Sequence, residues 1–148
     1  MSHRTAFAVV NVCQIVFGSL LNGMILFLLI RNFYLLKVLA NVILLNLAIS
    51  DFLACLCLRP YNAYQALSGK YFLDYSDIQK TFLYLTIIAS MMLAIIMTLD
   101  RYILIVFPIR YHLIVKTARI IYAVLFAWCS ALAMSLSIYF AWHFDREI

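Results

Sequence analysis

Apolar residues fall in four long blocks, residues 6–30, 38–58, 81–107 and 120–142, and most charges collect in the short segments between them. Each block can cross a bilayer as a helix, which takes roughly 20 apolar residues. Three Gly and two Pro in the whole chain leave little to interrupt those helices, and no long flexible linker separates them. No internal repeat or low-complexity tract is present. The pattern predicts an all-α protein with four transmembrane helices.

Composition moves that expectation firmly into the membrane. Hydrophobic residues make up 68% of the chain, charged residues 11%, and mean hydropathy is +1.04. A soluble domain carries roughly a quarter of its residues as charges. The first block is too long for a signal-peptide core and lacks a small-residue cleavage site, so it reads as a retained first helix. Ten Tyr and eleven Phe supply an interfacial aromatic belt.

Charge then sets the orientation. Arg31 and Lys37 follow the first block; Arg110, Lys116 and Arg119 follow the third; neither loop holds an acid. The opposite side mixes Lys70 and Lys80 with Asp74 and Asp77, and Arg146 with Asp145 and Glu147. The positive-inside rule makes the first two loops cytoplasmic and the N-terminus extracellular. These loops also account for the net charge of +5, so nucleic-acid binding is not expected.

Several chemistries are disfavoured. His3, His112 and His143 lie at or outside the interfaces and Asp51 is the only mid-membrane acid, so no pair suited to acid–base or nucleophilic catalysis exists at depth. No set of His and Cys has metal-site spacing. Cys13, Cys55, Cys57 and Cys129 all sit inside apolar blocks and read as buried structural thiols rather than a disulfide framework. No glycosylation sequon is present.

What polar chemistry remains is concentrated. Asp51, within Asn46-Leu47-Ala48-Ile49-Ser50-Asp51, lies near the middle of the second block, a placement costing roughly 2.5–3.5 kcal/mol on insertion scales. It calls for a cavity or a partner, the plain alternative being a protonated acid bonded to a neighbouring helix. Ser90 lies eleven residues before Arg101, on about the same face and about 16 Å higher. Asp51 stands roughly 18–20 Å above the start of its own helix. Asp51, Ser90 and the Asn22 amide can therefore meet at mid-membrane, an oxygen-rich setting suited to a small hydrated cation. Gly18 and Gly23, around Asn22, read as close-packing positions. At the cytoplasmic end of the third block stand Asp100-Arg101-Tyr102, with Pro108 six residues further on and a basic-aromatic tail after it.

Together these residues resemble the rhodopsin-like (class A) G-protein-coupled receptors. Asn22 matches that family's helix-1 asparagine, and the stretch from Leu45 to Asp51 its helix-2 pattern. Pro60 matches its helix-2 proline, Ser90 the partner of the helix-2 acid in its sodium pocket, and Trp128 its helix-4 tryptophan. Asp100-Arg101-Tyr102 and Pro108 match the G-protein-facing motif. The resemblance implies the N-terminal part of a seven-helix bundle in the plasma membrane, responding to an extracellular ligand and activating a heterotrimeric G-protein. It implies that Asp100 restrains Arg101 at rest, that Asp51 and Ser90 hold an allosteric sodium ion, and that Asn22, Asn46 and Trp128 serve interhelical polar packing. Lipid, and a second receptor copy, are the further partners it suggests; no other cofactor is expected.

The departures are informative. Where the family usually has a disulfide-bonded cysteine stands Ser76, and Tyr71-Phe72 occupy the place of a loop tryptophan. Residues 110–115 look somewhat melanocortin-like. Amine receptors carry an aspartate where this chain has Leu83, which argues against a biogenic amine. The chain stops at Ile148 with no counterpart of helices 5 to 7, and reads as truncated or incomplete. The alternatives are a four-helix scaffold or channel subunit, or a short receptor form that pairs with full-length receptors. A tetraspanin-like scaffold would want a cysteine-rich outer loop, which residues 61–80 lack.

Overall fold

The computed structural model describes residues 3–68 and 73–147, and the described chain is helical with no strand. The major helices are α1 (His3–Arg31), α2 (Leu39–Leu53), α3 (Arg59–Ser68), α4 (Leu73–Val106), α5 (Tyr111–Ile114) and α6 (Thr117–Glu147). A 3-10 turn over Phe33–Lys37 joins α1 to α2, and a π-helical turn over Ala54–Leu58 joins α2 to α3. Four segments are long and apolar enough to span a membrane: Thr5–Arg31, Leu39–Leu56, Ile78–Val106 and Thr117–Ala141. They follow the four blocks of the sequence closely. The difference is α4, which begins at Leu73 and runs for 34 residues, roughly 50 Å, well beyond the hydrocarbon thickness of about 30 Å.

The π-helical turn has a local cause. Pro60 has no N–H to donate, and its ring would collide with the carbonyl four residues earlier in a regular helix. A wider turn immediately before it accommodates both faults, so the chain continues into α3 instead of breaking.

α4 packs against α2 and α6, while α1 packs against α2 and α3. The buried centre comprises Ile43, Leu93, Val115, Ile120, Val124 and Ala127, with Leu47, Met92, Ile96, Tyr111 and Trp128 packed around it. It joins α2, α4, α6 and the segment after α5 at the Arg101 end of the bundle. On α1, a Cβ added at Gly18 would collide with Cys55 Sγ, and one at Gly23 would come within 3.2 Å of the Phe52 ring. These glycines let α1 approach the α2–α3 segment at backbone distance, as small residues do on membrane helices.

The thiols differ from the sequence expectation. Cys13 and Cys129 are exposed on the bundle surface, and Cys55 is half-buried with its thiol 3.5 Å from the Gln14 carbonyl. A thiol is a small apolar group, and a membrane helix facing hydrocarbon has no need to turn it inward. The side chains of Cys57 and Ser76, and residues Tyr71 and Phe72, lie outside the described residues.

Candidate functional site

The mid-membrane site begins with one acid and two hydroxyls. Ser90 Oγ, on α4, donates to Asp51 Oδ1 on α2 at 2.7 Å. Ser50, the fully buried neighbour of Asp51, lies 2.8 Å from Ser90 through its Oγ and donates to the Leu47 carbonyl at 2.8 Å. The sequence pattern gives Ser50 no role, yet its side chain faces α4 beside the acid. With Asp51 ionised, two hydroxyl protons serve three short contacts, so they cannot all be full hydrogen bonds at once. A carboxylate and two hydroxyl oxygens with lone pairs to spare make a hard-oxygen donor set that fits a small cation. Asp51 and Ser90 would hold it, with Ser50 adjoining; an ion there would add fixed positive charge between α2 and α4.

Asn22 does not join this cluster through a hydrogen bond. Its amide donates to the Gly18 carbonyl one turn earlier on its own helix at 3.0 Å. That bond is made within α1, uses one of the two amide hydrogens, and belongs to a side chain that is only half-buried. Asn46 does cross helices. Its amide donates to Val42 O at 2.9 Å, while its Oδ1 accepts from Trp128 Nε1 at 3.1 Å, tying α2 to α6.

At the end of α4 the chain reverses over Pro108. Arg110 N donates to Phe107 O, closing a turn in which Pro108 occupies the position its fixed φ favours. α5 follows at once, with Leu113 and Ile114 N–H groups both directed to Arg110 O. Arg119 Nη1 donates to Ile114 O at 2.6 Å, pinning the end of α5 to the first turn of α6. This path swings Tyr111 back beneath α4, where its hydroxyl donates to Asp100 Oδ1 at 2.7 Å. Asp100 is only 3% exposed, and its Oδ2 is buried without a hydrogen-bond partner. Burial first, then the bond to Asp100 and its negative charge, push the Tyr111 phenol up to about 12.

The expected restraint of Arg101 by Asp100 is not formed in this structure. Neither Asp100 oxygen is hydrogen-bonded to Arg101; Asp100 is gripped by Tyr111. Consecutive helix residues point about 100° apart, so an acid turned into the bundle leaves its neighbour facing out. Arg101 and Tyr102 are exposed, as is Pro108. Tyr111 was legible only as part of a basic-aromatic tail, because an eleven-residue separation across a turn has no periodic signature.

Apolar spans tied by polar contacts at mid-membrane, with an exposed arginine next to a buried acid at one end, define a multi-pass helical membrane protein. The model of the 7 transmembrane receptor (rhodopsin family) matches residues 21–147, and the chain belongs to that family, whose members are receptors and not enzymes. It is 29% identical over 136 residues to the octopamine receptor beta-1R of Drosophila melanogaster, covering 90% of this chain and 27% of that receptor. It is 29% identical over 115 residues to the histamine H2 receptor of Cavia porcellus, covering 76% and 32%. It is 29% identical over 147 residues to the human alpha-1A adrenergic receptor, covering 91% and 32%. The chain thus spans between about a quarter and a third of the length of these relatives. Their names are those of amine receptors, which pulls against the melanocortin-like look of residues 110–115.

Proposed function

We propose that this chain is the ligand-responsive and G-protein-facing N-terminal part of a plasma-membrane receptor, with its N-terminus outside and the Arg101 end in the cytoplasm. The observation that carries the reading is the Tyr111–Asp100 bond beside an exposed Arg101. It fixes the loop after α4 against the helix end and leaves a guanidinium free to meet a partner. Signalling is a shift between two packings, biased by ligand from one side and a heterotrimeric G-protein from the other. A sodium ion held by Asp51 and Ser90 would favour one of those packings.

The ligand is proposed not to be a biogenic amine, although the relatives are named for amines. Leu83 stands where the amine-receptor pattern places its aspartate, and a leucine offers an ammonium group no counter-charge.

Nucleotide exchange on purified G-protein, driven by membranes containing the complete receptor of which this chain is proposed to be part, tests both parts. Basal exchange above empty membranes is expected, lost in Arg101→Ala at equal surface expression. Undiminished exchange in that variant would remove the assigned role of Arg101. Octopamine and histamine should leave exchange unchanged; stimulation by either would overturn the non-amine reading.

A further inference from the structure

Ser90 uses its proton differently from most hydroxyls of the bundle. Thr86, Thr98, Ser130, Ser135 and Ser137 each donate to a carbonyl three or four residues earlier in their own helix. That local bond is the ordinary way to satisfy a hydroxyl on a membrane helix. Ser90 turns away from its own backbone instead. Its two short contacts are to side chains of α2, Asp51 Oδ1 at 2.7 Å and Ser50 Oγ at 2.8 Å.

Ser50 is oriented in the ordinary way. Its Oγ donates to Leu47 O at 2.8 Å, and the residue is 0% exposed. With its one proton committed to Leu47, Ser50 turns a lone pair towards Ser90. Ser90 therefore has one proton and two acceptors on the facing helix. A carboxylate is the stronger of the two, so the proton goes to Asp51 while that group is free.

A cation at this site changes the choice. Asp51 and Ser90 can hold one only through their lone pairs, and a proton lying between the two oxygens would face it with like charge. The Ser90 hydroxyl must then turn, and Ser50 Oγ is the acceptor already within reach. After the turn, Ser90 donates to Ser50 and Ser50 to Leu47 O, so both protons point away from the site. Two protons now serve two contacts. The third contact, between Asp51 and Ser90, is the one a cation would bridge.

We infer that Ser50 is a positioning residue for the cation site, accepting the Ser90 proton whenever Asp51 and Ser90 hold an ion. It sets the affinity through Ser90 without being a ligand. The inference rests on the proposed sodium site and adds to it a hydroxyl switch between α2 and α4. Without an acceptor at position 50, Ser90 keeps its proton on Asp51 and opposes the ion.

The test is thermal melting of the purified protein, titrated with sodium chloride against choline chloride at constant ionic strength. The rise with sodium concentration gives the dissociation constant, and melting in choline alone reports the fold. Ser50→Ala and Ser50→Cys are each expected to raise that constant about fivefold, the weight of one ordinary hydrogen bond. A thiol keeps the bulk of the side chain but accepts weakly, so the cysteine variant separates a lost acceptor from lost packing. In a Ser90→Ala background no hydroxyl has to turn. Adding Ser50→Ala there should leave the constant where Ser90→Ala alone puts it. Sodium binding as tight as wild type in either Ser50 variant would overturn the inference, however far melting in choline falls. A further loss on adding Ser50→Ala to Ser90→Ala would overturn it too, because Ser50 would then act independently of Ser90. A wild type indifferent to sodium would remove the cation site itself, and this role with it.

Discussion

Asp100 and Tyr111 show what a single pair can contribute. The acid is almost wholly buried, one oxygen bonded and the other not, so it tolerates no further loss of partners. Tyr111→Phe removes its one donor and is expected to cost roughly 1–3 kcal/mol. A fall of several degrees in the melting temperature of the purified protein would report it, and unchanged melting would contradict the contact. The same pair makes an alkaline signature. The Tyr111 phenol is raised from 10.0 to about 12, so the folded state holds its proton more tightly than the unfolded chain. That contribution is fully present below the unfolded value and is lost as pH rises through the folded one. Wild type should therefore lose stability between pH 10 and 12 relative to Tyr111→Phe. At mid-membrane, Asp51→Asn removes the charge that would hold a cation. Sodium at ten times its dissociation constant stabilises by about 1.4 kcal/mol. Melting of the wild type should rise in sodium over choline chloride while that of Asp51→Asn does not; an equal rise in both would exclude the pocket.

The spans, at the scale of elements, were readable because hydrocarbon imposes length and composition on any helix that crosses it. The four blocks of the sequence are the four spans, and Pro60 falls beside the π-helical turn. What periodicity could not supply was direction. Asn22 looked like a bridge between helices and turned out to bond its own backbone. Cys13 and Cys129 looked buried and are exposed, because an apolar side chain has no preference between hydrocarbon and protein interior that a sequence would display. Tyr111 reaches Asp100 only through a proline turn and a one-turn helix, a geometry with no repeat to read. The close approach of α1 also has an energetic consequence. Gly18→Ala should lower melting because its Cβ meets Cys55 Sγ, whereas the Cys55 Cβ is at an ordinary 3.7 Å. In a Cys55→Ala background the same change should be nearly neutral. A double-mutant cycle with no coupling would place α1 elsewhere.

The whole molecule brings these parts into one polarity. Asp51, Ser50 and Ser90 occupy the middle of the bundle, and Asp100, Tyr111 and Arg101 share one end. The loops at that end carry Arg31, Lys37, Arg110, Lys116 and Arg119 without an acid. The proposed G-protein contact through Arg101 requires that end to be cytoplasmic. Orientation is accordingly the claim on which the account turns, and it can be measured directly. An epitope tag placed before Met1 and a second placed between Ile109 and Arg110 would be stained on intact and on permeabilised cells. The account predicts that the first is seen on intact cells and the second only after permeabilisation. The reverse pattern would put Arg101 outside the cell and contradict the functional reading.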